Sequence, residues 1–167
     1  HQVTILGMPL GSNRAHEWQA FAQAARNNPE LLFIVSAGNN GRDIDNEPVY
    51  PASLNLDNVL VVTSADDFVR PAERTNWGKI AVDYLIPAER IALIDYSGEE
   101  VEASGSSYAV SRLTALAAKL KMAHRQWGAA DIVAELRRRF GNDRATTRAL
   151  NWVSSGYIAD PLAGAPI

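Results

Sequence analysis

Leu31-Leu-Phe-Ile-Val35 runs without a polar residue into Ser36-Ala-Gly-Asn-Asn-Gly41. Five consecutive apolar residues, three of them favouring extended chain, predict a strand buried on both faces. The six that follow are small, amide-bearing or glycine, the types that tolerate tight and left-handed backbone, and they predict a loop at the strand's carboxyl end. Upstream, Val3-Thr-Ile-Leu6 predicts another buried strand, ended by Gly7 and the Pro9-Leu-Gly11 break. Between the two, Trp18, Phe21, Ala22 and Ala25 recur at helical spacing and predict a helix over His16 to Arg26. Ser12 or Asn13 would cap it, and Asn27-Asn28-Pro29 would stop it, because proline disfavours helix in the residue before it.

Downstream, Gly41 to Asn58 reads as irregular, and Val59-Leu-Val-Val-Thr63 as a third strand. Short apolar runs follow at Ile80–Val82 and Leu85–Ile86, and Ile91–Ile94 is expected to form a hairpin arm with Val101. Past Gly105-Ser-Ser107 comes the clearest helix, with Ala109, Leu113, Leu116, Ala117 and Leu120 in one apolar stripe. A further helix is predicted over Ala129 to Arg139, its basic last turn suited to the helix dipole. Strand, helix, strand, loop, strand is the pattern of a parallel sheet with right-handed crossovers. The fold class is therefore α/β: a three-layer, Rossmann-like, mainly parallel sheet flanked by helices. No internal repeat and no linker divides it. The core is expected over residues 3–140 and an irregular tail over 151–167.

The totals narrow the function classes. At 167 residues the chain fits one domain with a real core. A net charge of −3 gives no electrostatic reason to expect nucleic acid or an anionic membrane as partner. Absence of cysteine excludes a thiol nucleophile, disulfides and Cys-based zinc sites. His1, His16 and His124 show no metal-binding spacing, and no metal site is expected. A plain nucleotide-binding domain would need a G-x-G-x-x-G after its first strand or a Walker lysine, and neither is present.

Two loci can carry chemistry. Asn39 stands in a loop at a strand's carboxyl end, where ligands collect in α/β folds. Its side-chain amide can donate to a developing oxyanion. Ser106 and Ser107 open the long apolar helix, near unpaired backbone N–H groups and the positive end of the dipole. Taken singly, the first is usually just a turn and the second just an N-cap.

Together and in order, the segments resemble the subtilisin-like (subtilase) family from about Val3 to Leu120. Ile5-Leu-Gly-Met-Pro-Leu-Gly11 is similar to its substrate-binding strand, Ser36-Ala-Gly-Asn39 to its Ala-Ala-Gly-Asn motif, and Tyr50-Pro51-Ala52 to the turn beyond, often cis at proline. Thr75-Asn-Trp-Gly78, Leu85-Ile-Pro-Ala88 and Gly105-Ser-Ser-Tyr-Ala109 stand where the family has Ser-Asn-x-Gly, Ala-Pro-Gly and Gly-Thr-Ser-Met-Ala. The resemblance implies a serine endopeptidase with Ser107 as nucleophile, Asn39 as oxyanion donor and Ser106 as the threonine equivalent. Leu10, Gly11, Ser36, Ala37 and Gly38 would line the specificity pocket. Three departures stand out: Ser111-Arg112 replace a Pro-His pair, Pro9 a small polar residue, and Ala88 a glycine. The alternative reading is a non-catalytic peptide-binding pseudo-peptidase.

The family orders its triad Asp, His, Ser, which puts the Asp and His upstream of His1. The chain is accordingly expected to be the C-terminal part of a peptidase domain, partnered by the upstream half of the same enzyme and by a peptide or protein substrate. Alone it should be almost inactive. His124 would lie some 25 Å from Ser107 along the helix, and neither it nor His16 is a credible base. No cofactor is expected; a structural calcium enters only through the resemblance, and Gly41–Asn58 does not match a liganding loop. Secreted or periplasmic is the family's usual location.

Overall fold

A computed structural model describes residues 3–141 and 144–159. Five parallel strands form one sheet, in the order β1 (Ile5–Met8), β2 (Leu32–Ser36), β3 (Val59–Ala65), β4 (Tyr84–Pro87) and β7 (Gly156–Tyr157). Every residue of β2 and β3 is buried, as apolar central strands covered on both faces require. Strand β1 lies at an edge with its side chains only partly covered.

Alternate residues of each strand face opposite layers. Leu32, Ile34, Leu60, Val62, Tyr84 and Ile86 pack under α2 (Ser106–Ala123) and α3 (Ala129–Phe140). Helix α2 seats the whole expected stripe of Ala109, Leu113, Leu116, Ala117 and Leu120 there. Truncating one such leucine would cost about 2–5 kcal/mol. Phe33, Val35, Val59, Val61 and Leu85 face the other way, toward Phe21 and Ala25 of α1 (Gln19–Asn27) and toward Ile44, Val49 and Val153. The end of α1 is tied down by Asn58, whose Nδ2 lies 3.0 Å from the carbonyls of Ala25, Asn28 and Leu31. An antiparallel hairpin, β5 (Ile91–Ile94) and β6 (Glu100–Ala103), pairs Leu93 with Val101 apart from the main sheet.

Two expectations need correction, and two stretches had no element assigned to them. Residues 80–82, read only as a short apolar run, form no strand. They belong to a turn in which Val82 N–H reaches the Gly78 carbonyl and the Asp45 carboxylate accepts the N–H groups of Ile80 and Ala81. Neither Ser12 nor Asn13 caps α1. A 3-10 turn, Ala15–Trp18, intervenes, and Ser12 Oγ instead accepts from Trp18 Nε1 at 3.0 Å and from Arg14 N–H at 3.3 Å. A short helix, α4 (Arg144–Ala149), was not anticipated, since its polar sequence carries no stripe. The segment 151–159 is no irregular tail: β7 pairs with β4, and Ile158 is fully buried with its N–H on the Leu85 carbonyl. Residues 160–167 of that expected tail, and His1, lie outside the described residues.

Candidate active site

In a parallel sheet the loops leaving the carboxyl ends of the strands gather on one edge. Here the loops after β1 and β2 meet the first turn of α2 at that edge. They enclose a groove of about 300 Å³, lined by Leu10, Gly11, Ser36, Gly38, Asn39 and Ser107 with Val49 at its base. Three segments far apart in sequence are thus brought to one cleft.

Backbone constraints shape both walls. A Cβ on Gly11 would stand 2.6 Å from the Tyr50 carbonyl, so only glycine lets the first wall lie against the segment that carries Val49. Ser12 and Tyr50 exchange two 2.8 Å backbone hydrogen bonds just beyond, beside a cis Tyr50–Pro51 bond. On the second wall Gly38 has φ of +96°, and a Cβ there would meet Asn76 Nδ2 at 2.7 Å. Asn76 is wholly buried and holds this loop. Its Nδ2 donates to the Ala37 carbonyl (2.7 Å), while its Oδ1 accepts from the N–H groups of Asn40 (2.9 Å) and Arg42 (3.2 Å).

The amide of Asn39 is oriented by the start of α2. Its Oδ1 accepts Ser106 N–H at 3.0 Å and Ser106 Oγ at 2.8 Å. Because a backbone N–H can only donate, Oδ1 must face Ser106, and Nδ2 with its two protons is turned away from it. Gly105, at φ +127°, lies flat against this amide; a Cβ there would sit 3.3 Å from Oδ1. Ser107 is half-buried on the groove, at the helix start, where first-turn N–H groups lack intrahelical partners.

Not every predicted pocket residue reaches the groove. Ala37 and Ser106 are both fully buried, so neither side chain can touch a ligand. Ala37 is locked between the Val62 carbonyl and Asn76, and Ser106 sits behind Asn39. Sequence reasoning missed Val49 and gave Asn76 no role, although it marked the turn around Asn76. The Arg112 that replaces the family's histidine donates to the Pro87 carbonyl at 2.6 Å, tying α2 to the end of β4.

Neither described histidine approaches this groove. His124 ends α2 and stacks on Trp127 with ring centroids 3.8 Å apart, and His16 lies in the exposed 3-10 turn. Among the described residues no group of three or more His, Asp or Glu side chains is placed to hold a metal ion, and the carboxylates of the loop beyond Asn39 have protein partners. Asp43 accepts from Asp45 N–H and Asn46, Asp45 clasps residues 80 and 81, and Glu47 is paired with Arg42. Strongly shifted titration lies elsewhere too. Burial pushes the Asp83 carboxyl up to about 6, against the opposing bond from Val61 N–H. Asp83 precedes β4 at the amino edge of the sheet, so its raised pKa reflects packing between strands rather than chemistry in the groove.

A model of the subtilase family matches residues 1–152. Among curated proteins none matches. The structure is similar to that of a cold-adapted subtilisin-like serine proteinase, with a TM-score of 0.75 and 22% identity over 95% of this chain and 55% of the other. It is also similar to the A-subunit of the AB5 toxin from E. coli (TM-score 0.71, 18% identity, 95% of this chain and 57% of that one). A mutant of the protease domain of PatA gives 0.69 at 24% identity, over 92% and 56% of the two chains. The chain thus spans about half the length of the solved structures it matches.

Proposed function

The chain belongs to the subtilase family, and from that premise we propose that it supplies the nucleophile and the oxyanion donor of a serine endopeptidase. Ser107 Oγ forms a bond to the carbonyl carbon of the scissile peptide as its proton passes to a histidine from an upstream segment of the enzyme, which an aspartate orients. The carbonyl oxygen becomes an oxyanion held by Asn39 Nδ2 and Ser107 N–H. The same histidine returns the proton to the leaving amine, and water then releases the acyl group from Ser107. Leu10, Gly11 and Gly38 flank the substrate side chain next to the cut bond, with Val49 beneath it. No cofactor enters these steps.

One observation carries this reading. Ser107 and Asn39 line the same groove, and the amide of Asn39 is pinned by its oxygen so that its donor end is free for a ligand. The upstream segment is supported by the sheet itself. Among the described residues strand β1 has a neighbour on one side only, and its other edge offers backbone hydrogen-bonding groups to further chain. No described helix is long and apolar enough to cross a membrane. Secretion or export to the periplasm remains part of the proposal.

A fluorophosphonate probe reacts quickly only with an activated serine. In the enzyme carrying its general base, Ser107 is expected to be labelled, and Ser107→Ala to abolish labelling and hydrolysis alike. Asn39→Ala should lower kcat by about 10²–10³. The chain without that base should hydrolyse peptides about 10⁶ times more slowly. Peptide binding with no labelling at Ser107 would replace this reading with a non-catalytic one.

A further inference from the structure

Ser36 has a hydroxyl that the mechanism above does not use. It is 5% exposed, and its Oγ lies 2.6 Å from Ser106 Oγ, which is fully buried. Distance alone leaves open which of the two donates. The neighbours decide it. Asn39 Oδ1 can only accept, and it lies 2.8 Å from Ser106 Oγ, so the Ser106 proton must point at Asn39. Ser106 then has only lone pairs to offer Ser36, and the Ser36 proton must point at Ser106. Gly38 N–H closes the sequence by donating to Ser36 Oγ at 3.0 Å.

We propose that Ser36 is a positioning residue for the oxyanion donor. Its hydroxyl sets a one-way chain of hydrogen bonds, Gly38 N–H to Ser36 to Ser106 to Asn39 Oδ1, which holds the Asn39 amide with Nδ2 toward the groove. The chain starts and ends in the same loop, 36–39, and passes through the first residue of α2. It therefore couples the turn at Gly38 to the helix that carries Ser107. Hydrogen bonds in such a chain polarise one another. A Ser36→Ala change leaves Gly38 N–H without its acceptor and Ser106 without its donor, while removing almost no volume. This inference rests on Asn39 being the oxyanion donor, but the orienting role can be read without catalysis.

The first measurement is the side-chain amide pair of Asn39 in the ¹⁵N-labelled chain. Ser36→Ala is expected to shift that pair and speed its rotation about the C–N bond. Ser36→Thr, which keeps the hydroxyl, should restore it; if the added methyl does not fit, the alanine result alone decides. Unchanged Asn39 amide signals in Ser36→Ala overturn the proposal. The second measurement is hydrolysis by the enzyme carrying its general base. Ser36→Ala should lower kcat roughly fivefold at constant KM, the size of one neutral hydrogen bond. In an Asn39→Ala background it should have no further effect. An equal loss in both backgrounds would make Ser36 a purely structural residue and overturn the positioning role. Amide signals that respond in a protein no form of which cleaves peptides would uphold the hydrogen-bond chain and sink the peptidase reading instead.

Discussion

Asn76 is the residue on which the shape of the oxyanion loop depends most directly, so Asn76→Ala is the most informative perturbation of the scaffold. Three side-chain hydrogen bonds disappear, one to the Ala37 carbonyl and one each from the N–H groups of Asn40 and Arg42. The Ala37 carbonyl is sealed from water, whereas Asn40 is exposed and its N–H can be partly rehydrated. Counting one fully unsatisfied buried group and two partly satisfied ones gives a loss of about 3–4 kcal/mol. At about 2–4 °C per kcal/mol for a chain of this size, Tm should fall by roughly 10 °C. Asn76→Asp discriminates further. It keeps the oxygen that accepts both N–H groups but sets a carboxylate against the Ala37 carbonyl, so it should melt below Asn76→Ala at neutral pH. It should recover at low pH, where the protonated acid can donate to that carbonyl. Thermal melts at two pH values test the ranking, and amide hydrogen exchange at Asn40 and Arg42 tests the location. A fall of only one or two degrees, with both amides still protected, would refute the argument.

Asp83→Asn addresses the raised carboxyl at the amino edge. With a folded pKa of about 6 against an ordinary 3.8, wild-type Asp83 stabilises the fold fully below about pH 3.8 and loses that contribution as pH rises to about 6. A two-unit shift corresponds to about 3 kcal/mol, cut to about 1–2 kcal/mol because Asp83 keeps part of its surface exposed to solvent. Asparagine keeps the acceptor for Val61 N–H, so urea titrations should show the variant gaining on wild type between pH 4 and 7. Curves that stay parallel would contradict this. Val49→Ala deepens the base of the groove at a cost of about 1–2 kcal/mol. Peptides with a larger residue before the cut bond should gain in kcat/KM over those with a small one; an unchanged ranking would remove Val49 from the specificity wall.

The central strands and α2 were legible because their burial leaves a periodic trace: unbroken apolar runs in β2 and β3, and one stripe at helical spacing in α2. Asn39 and Ser107 were singled out through the order of the motifs along the chain, and both line the groove. Strand β7 was not. It is two residues long, starts on a glycine, and exists because the Ser155 and Gly156 N–H groups reach the Asp83 carbonyl. Such pairing depends on where another strand lies and leaves no local pattern. Residues 80–82 show the opposite mismatch, an apolar run that forms no strand and is taken up by a turn that the Asp45 carboxylate wraps. Burial of a polar residue is equally silent in sequence. Asn76 reads like any turn asparagine, and Ala37 and Ser106 read as substrate-binding residues until packing shows their side chains covered.

A Cβ on Gly7 would stand 2.6 Å from Thr114 Oγ1, so β1 offers α2 a notch one side chain deep. The Thr114 hydroxyl is already engaged with the Val110 carbonyl at 2.7 Å and cannot swing away freely. Enlarging residue 7 alone would lift the middle of the helix, and a rigid helix carries that displacement to Ser107 at its tip. Shrinking residue 114 alone would leave a hole. The two positions therefore form an epistatic pair. A library that varies them separately samples mainly losses, while one that varies them jointly can tilt the nucleophile over the groove by small steps without touching a single residue of the site.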